Sequence, residues 1–146
     1  MSCLSCNKKE TISEVIQRGL SVATQQPLLL AKDLEKQEGA LPRTFEDGVL
    51  KTSDYTAWTS GFFPGVLWLL YEDTMSEELK KYAKLYTSRV EQVKNMTNTH
   101  DLGFMSYCSF GNGYRITGDS GYLEVLKTGA NSLATRFNDR LSLIKS

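Results

Sequence analysis

Val66-Leu67-Trp68-Leu69-Leu70-Tyr71 is the stretch that most restricts the fold of this chain. Read as a helix it is apolar almost all round, whereas the helical patterns on either side carry apolar residues on one face only. Such a helix needs partners on every side and has no place on the surface of a small bundle. It is introduced by Trp58-Thr59-Ser60-Gly61-Phe62-Phe63-Pro64-Gly65. There Ser60 is expected to cap the helix, and Pro64 to occupy its first turn, where a missing N–H would go unbonded anyway.

The other segments supply the partners. Thr11-x-x-Glu14 reads as a capping box opening a helix with Ile12, Val15, Ile16, Gly19, Leu20 and Ala23 on one face, moderately kinked at Pro27 before Leu28–Leu34. Thr74-x-x-Glu77 reads as a second box, opening a helix with Leu79, Tyr82, Ala83, Tyr86, Val90 and Val93 on one side and ending near Asn95. Leu102 to Phe110 reads as a short, mostly buried helix broken by the flexible turn Gly111-Asn112-Gly113. A last amphipathic helix starts near Asp119 and runs through Tyr122, Leu123, Leu126, Ala130, Leu133, Ala134 and Phe137.

Between Gly39 and Ala57 the helical period is lost, and Asp47-Gly48 is turn chemistry. Phe45, Val49, Leu50 and Tyr55 mark the segment as an ordered loop. The expectation is therefore an all-α chain without strands, in which nearly apolar helices alternate with amphipathic ones. That alternation suits a two-layer helical toroid, with a stand-alone bundle of four or five helices as the competing architecture.

With 146 residues the chain is about one domain long. Lys+Arg and Asp+Glu both number 17, giving no basic patch for nucleic acid or an anionic membrane. No run is long enough for a transmembrane helix. One histidine and three scattered cysteines offer no metal-ligand spacing, no glycine-rich phosphate loop is present, and no cofactor is implied. Residues 1–10, with Cys3 and Cys6, resemble the tail of a bacterial lipoprotein signal without the preceding apolar core. They are expected to form a tether to a periplasmic or envelope-anchored domain comprising residues 11–146.

Chemistry concentrates in Thr99-His100-Asp101-Leu102-Gly103-Phe104-Met105, which holds the single histidine. Asp101 has two readings: a cap for the helix beginning at Leu102, or a carboxylate that binds sugar hydroxyls or moves a proton. On residue type alone the cap is favoured. His100 can be a structural hydrogen-bonding group or a site residue. Trp58 can pack or stack on a sugar ring. Arg43 and Arg115 can each fork onto a carboxylate, or make ordinary surface pairs. A Cys108–His100 nucleophile pair is weighed against inert packing, the commoner state of a cysteine in an apolar helix.

Three stretches together resemble the unsaturated glucuronyl hydrolases, glycoside hydrolase family 88: Trp58 to Gly65, Thr99 to Met105, and Gly113-Tyr114-Arg115-Ile116-Thr117-Gly118. Leu41-Pro42-Arg43-Thr44 and Ser132-Leu133-Ala134-Thr135-Arg136-Phe137-Asn138 fit the same family, and the likeness runs from about Thr11 to the C-terminus.

The resemblance implies the N-terminal part of an (α/α)6 barrel, about five or six of its helices in two layers. It implies a reaction in which an acid protonates C4 of the C4=C5 bond of a non-reducing-end unsaturated uronic acid. Water then adds at C5, and the hemiketal opens to release the remaining sugar, with no metal or organic cofactor. Carried over by position, Asp101 is a catalytic and substrate-binding residue, and His100 and Trp58 bind substrate. The family's principal acid/base aspartate is expected beyond Ser146, so the chain alone is expected to be inactive and to self-associate through exposed inner-helix faces. The alternative is a non-catalytic helical module that binds a carbohydrate or a partner.

Overall fold

In a computed structural model, residues 9–145 are described. The tether expected over residues 1–10 therefore lies, up to Lys8, outside the described residues. Helix α1 spans Ile12–Leu34 behind the expected capping box: the Thr11 N–H donates to Glu14 Oε2 at 2.7 Å, and the Glu14 N–H donates to Thr11 Oγ1 at 3.3 Å. The helix passes Pro27 without ending. Its far end is held from outside, where the Tyr86 hydroxyl donates to the Ala31 carbonyl and the Arg89 guanidinium donates to those of Leu34, Glu35 and Ala40. These bonds satisfy carbonyls that a helix terminus otherwise leaves unpaired.

The expected loop is a hairpin, so the expectation of a chain without strands is corrected. β1 (Leu41–Glu46) pairs antiparallel with β2 (Val49–Ser53). Asp47 and Gly48 both have positive φ, 50° and 74°. Two residues in that region make the turn whose twist matches paired strands, so Asp-Gly is a hairpin signal as well as a breaker. The alternation around it is obscured by a register shift between Pro42 and Thr44. A second pair, β3 (Phe137–Asn138) and β4 (Leu143–Ile144), has only two residues in each strand. The chain remains mostly helical.

Helix α2 covers Phe62–Thr74 and α3 covers Glu77–Ser88, followed by a 3-10 turn at Glu91–Asn95. Two expected caps shift. Gly61, in helical conformation, is the N-cap of α2, so Ser60 stands one residue too early; it is buried, and its hydroxyl has no hydrogen-bond partner among the described residues. At α3 the cap is Ser76, accepting from the Leu79 N–H at 3.5 Å. Thr74 still belongs to α2 and donates back to the Leu70 carbonyl, so it cannot form a box with Glu77.

The Gly111-Asn112-Gly113 break is also corrected. Helix α4 (Leu102–Ser106) continues through a π turn (Tyr107–Gly111) into α5 (Asn112–Thr117). A Cβ at Gly111 would meet the Tyr107 ring at 2.7 Å, and one at Gly113 would meet the Tyr122 ring at 2.8 Å. These glycines admit aromatic rings; they do not turn the chain. Helix α6 (Ser120–Ala134) begins as expected, with the Asp119 side chain accepting from the Gly121 N–H.

Glycine spacing sets the packing. A Cβ at Gly61 would fall on the Phe104 and Met105 carbonyls, and one at Gly65 would lie 2.6 Å from the Cys108 carbonyl oxygen. Positions one turn apart on α2 thus face positions one turn apart on the Leu102–Thr117 run, so the two helices lie parallel and in close contact. Helix α3 returns antiparallel to α2, with Phe63 against Tyr86 and Lys80 over Tyr71. Helix α6 returns antiparallel to the Leu102–Thr117 run, with Tyr122 against Phe110 and Gly129 near Ser106. Parallel inner helices with antiparallel outer partners form two layers, as the alternation predicted. Between the layers Trp68, fully buried, donates from Nε1 to Thr87 Oγ1 at 2.8 Å, so its polar atom is satisfied inside the core.

Candidate functional site

Asp101 occupies the N-cap position of α4, but its side chain makes no cap bond. The cap reading is therefore corrected: with φ −81° and ψ 6°, Asp101 lacks the extended conformation that turns a cap side chain onto the first helical N–H groups. Its carboxylate accepts from Thr99 Oγ1 at 3.3 Å, and Thr99 Oγ1 in turn accepts the Asp101 backbone N–H at 3.1 Å. His100 Nε2 stands 3.5 Å from Asp101 Oδ1, beyond ordinary hydrogen-bond length. The imidazole is 56% exposed and the carboxylate 22%, so the pair forms a rim with the acid recessed.

Trp58 lies on the turn leading into α2 and is 54% exposed. Its ring meets Phe62 at 5.6 Å and Phe104 at 6.4 Å between centroids, and Phe62 meets Phe104 at 6.1 Å, all edge to face. Phe104 is one helical turn beyond Asp101. The backbone contact of Gly61 on Phe104 and Met105 therefore brings the turn bearing Trp58 to the end of α4 that carries the His–Asp pair. Three large exposed rings beside a recessed carboxylate suit a ligand with an apolar ring face and hydroxyl groups. Thr99 and Phe104 were legible only as members of the motif. The i, i+4 spacing of Trp58 and Phe62 could have signalled their contact, but nothing local signals that of Phe104.

Other candidates fall outside this group. Arg115 forks onto both oxygens of Glu72 at 2.6 and 2.7 Å, which holds the Glu72 carboxyl below its usual range and raises the guanidinium. It is already engaged. Arg43 lies on the exposed part of β1. Cys108 is half-buried with its thiol pushed up by burial, the opposite of what activates a nucleophile. An apolar cleft of about 460 Å³, lined by Leu102, Tyr107, Leu123, Leu126 and Leu133 among others, runs beside α6. No carboxylate lines it, so it offers no acid for chemistry. No group of three metal-ligating side chains is found among the described residues.

No family model matches the sequence. Curated relatives do. The chain is 44% identical over 90 residues to an unsaturated glucuronyl hydrolase of Formosa agariphila, covering 61% of this chain and 22% of that protein. It is 33% identical over 141 residues to an unsaturated chondroitin disaccharide hydrolase of Streptococcus agalactiae, covering 94% of this chain and 34% of that one. Among solved structures, an unsaturated glucuronyl hydrolase specific for heparin superimposes with a TM-score of 0.77 at 38% identity, over 89% of this chain and 36% of the other. The homologues and structural neighbours of this chain are thus unsaturated glucuronyl hydrolases of glycoside hydrolase family 88, which are (α/α)6 barrels. The chain spans about a third of the length of these relatives or less.

Proposed function

We propose, on the premise of that homology, that this chain forms one wall of the sugar cavity of an unsaturated glucuronyl hydrolase. The substrate class is an oligosaccharide with an unsaturated uronic acid at its non-reducing end, of the glycosaminoglycan type that polysaccharide lyases generate. Trp58 stacks on the sugar, and His100 and Asp101 bind its hydroxyls near the reacting bond. Asp101 serves the reaction in which a proton reaches C4, positive charge develops at C5 and the ring oxygen, and water adds at C5. A carboxylic acid elsewhere in the whole enzyme supplies the proton to C4, its conjugate base takes a proton from the water as the C5–O bond forms, and the resulting hemiketal opens to release the remaining sugar.

The observation that carries this reading is the free state of Asp101. Its carboxylate stands at a helix N-terminus without capping it, steadied by the Thr99 hydroxyl and recessed behind His100. An anion oriented in this way can accept hydrogen bonds from ligand hydroxyls without first breaking a structural bond. The same proposal puts the protein at a bacterial envelope, on the strength of the cysteine-bearing residues 1–10.

Titration with an unsaturated chondroitin disaccharide tests the reading. Binding is expected at millimolar ligand and is lost in Trp58→Ala and in Asp101→Asn, while the absorbance of the unsaturated uronate does not decay with this chain as sole catalyst. Wild type and both variants titrating alike would overturn it.

A further inference from the structure

We infer that Phe104 is a positioning residue for Trp58: anchored through its backbone by α2, its ring braces the indole in the orientation in which it receives a sugar. The inference rests on the proposed role of Trp58 and deepens it.

Phe104 is 54% exposed, so its ring adds little to the core. Its main chain is nonetheless closely confined, because Gly61 presses on its carbonyl and on that of Met105 with no room for a Cβ. Trp58 has the complementary arrangement: its main chain lies in a turn outside any helix, and its ring touches Phe62 and Phe104. The two contacts lie at 87° and 73° between ring planes, so neither neighbour is stacked flat on the indole, which stays 54% exposed. The third contact, Phe62 to Phe104 at 82°, closes the triangle, so each ring limits the rotation of the other two. Edge-to-face pairs of this kind are attractive beyond the area they cover. A side chain already held in its bound rotamer loses less freedom when a ligand arrives.

Acrylamide quenching of tryptophan fluorescence tests the brace directly, because Trp68 is fully buried and the quenchable signal belongs to Trp58. In the 146-residue chain, Phe104→Leu is expected to raise the quenching constant about two-fold and to weaken unsaturated chondroitin disaccharide binding about five-fold. Phe104→Tyr, which keeps the ring, leaves both as in wild type, and far-UV circular dichroism confirms that both variants are folded. Should Phe104→Leu lose its fold, Phe62→Leu reads the same triangle from its other corner. Unchanged quenching in Phe104→Leu overturns the inference, and so does raised quenching with unchanged affinity. Failure of the underlying site reading looks different: wild type and Trp58→Ala then titrate alike, and this inference falls with it.

Discussion

The Thr99 hydroxyl holds Asp101 at two points, donating to carboxylate Oδ2 at 3.3 Å and accepting the backbone N–H of the same residue at 3.1 Å. One side chain thereby sets both the local backbone and the direction of the acid. It does so with a single hydrogen bond to the carboxylate, which leaves the other acceptor positions of the carboxylate open to a ligand.

Thr99→Val keeps the shape and removes that hydroxyl. It is expected to weaken disaccharide binding about five-fold, the equivalent of about 1 kcal/mol for one hydrogen bond, with little change in the melting temperature. Calorimetric titration alongside thermal melts checks this. Full affinity in Thr99→Val would show that the hydroxyl does not orient the acid.

The approach of α2 to α4 is set by glycine. Gly61→Ala would drive a methyl group into two main-chain carbonyls, which cannot move aside as a flexible side chain could. A loss of about 3 kcal/mol is expected, near the upper end for overpacking. Gly103→Ala, which meets nothing within 4 Å, is the control and is expected to be neutral or stabilising. Urea denaturation of the two variants side by side decides the point.

Burial raises the Cys108 thiol, so at pH 8 it carries less thiolate than a free cysteine, whose ordinary value is about 8.5. With Cys3 and Cys6 replaced by serine, iodoacetamide should modify Cys108 more slowly than a model thiol. The rate should still be climbing with pH above the value at which the model thiol levels off. Fast labelling that is already level at pH 7 would mean an activated thiolate and would restore the nucleophile reading.

Helices α2 and α5 and the π turn between α4 and α5 leave Val66, Leu69, Tyr107 and Tyr114 exposed on the inner layer. An apolar surface of that kind is a contact site waiting for cover. We propose that the chain self-associates through it at micromolar concentration, and that Leu69→Gln shifts the population toward the 16.4 kDa monomer. A single 16.4 kDa species at every concentration in sedimentation equilibrium would count against this.

Much of the helical layout was legible because each amphipathic face repeats its apolar residues every three or four positions and because Thr11 and Asp119 carry their caps in the local sequence. Elements were lost where one residue type serves two physical purposes. Asp47-Gly48 breaks a helix and also closes a hairpin. Gly111 and Gly113 permit a turn and also permit the approach of Tyr107, Tyr122 and Trp68. Ser60 and Thr74 have capping chemistry but fall two and three residues ahead of the first helical positions, Gly61 and Ser76 taking their places.

The sequence by itself determined that an apolar helix had to be enclosed by amphipathic ones, since burial of apolar surface follows from residue type and spacing alone. It also located the His100–Asp101 pair. Only the tertiary structure decided what that pair could do. Whether Asp101 caps its helix depends on backbone angles, and whether Trp58 meets Phe104 depends on how closely α2 approaches α4. The second is set by contacts between residues more than forty positions apart, a distance over which no local pattern carries information. The first is set by Thr99, two residues away, through a pairing that residue types alone do not reveal.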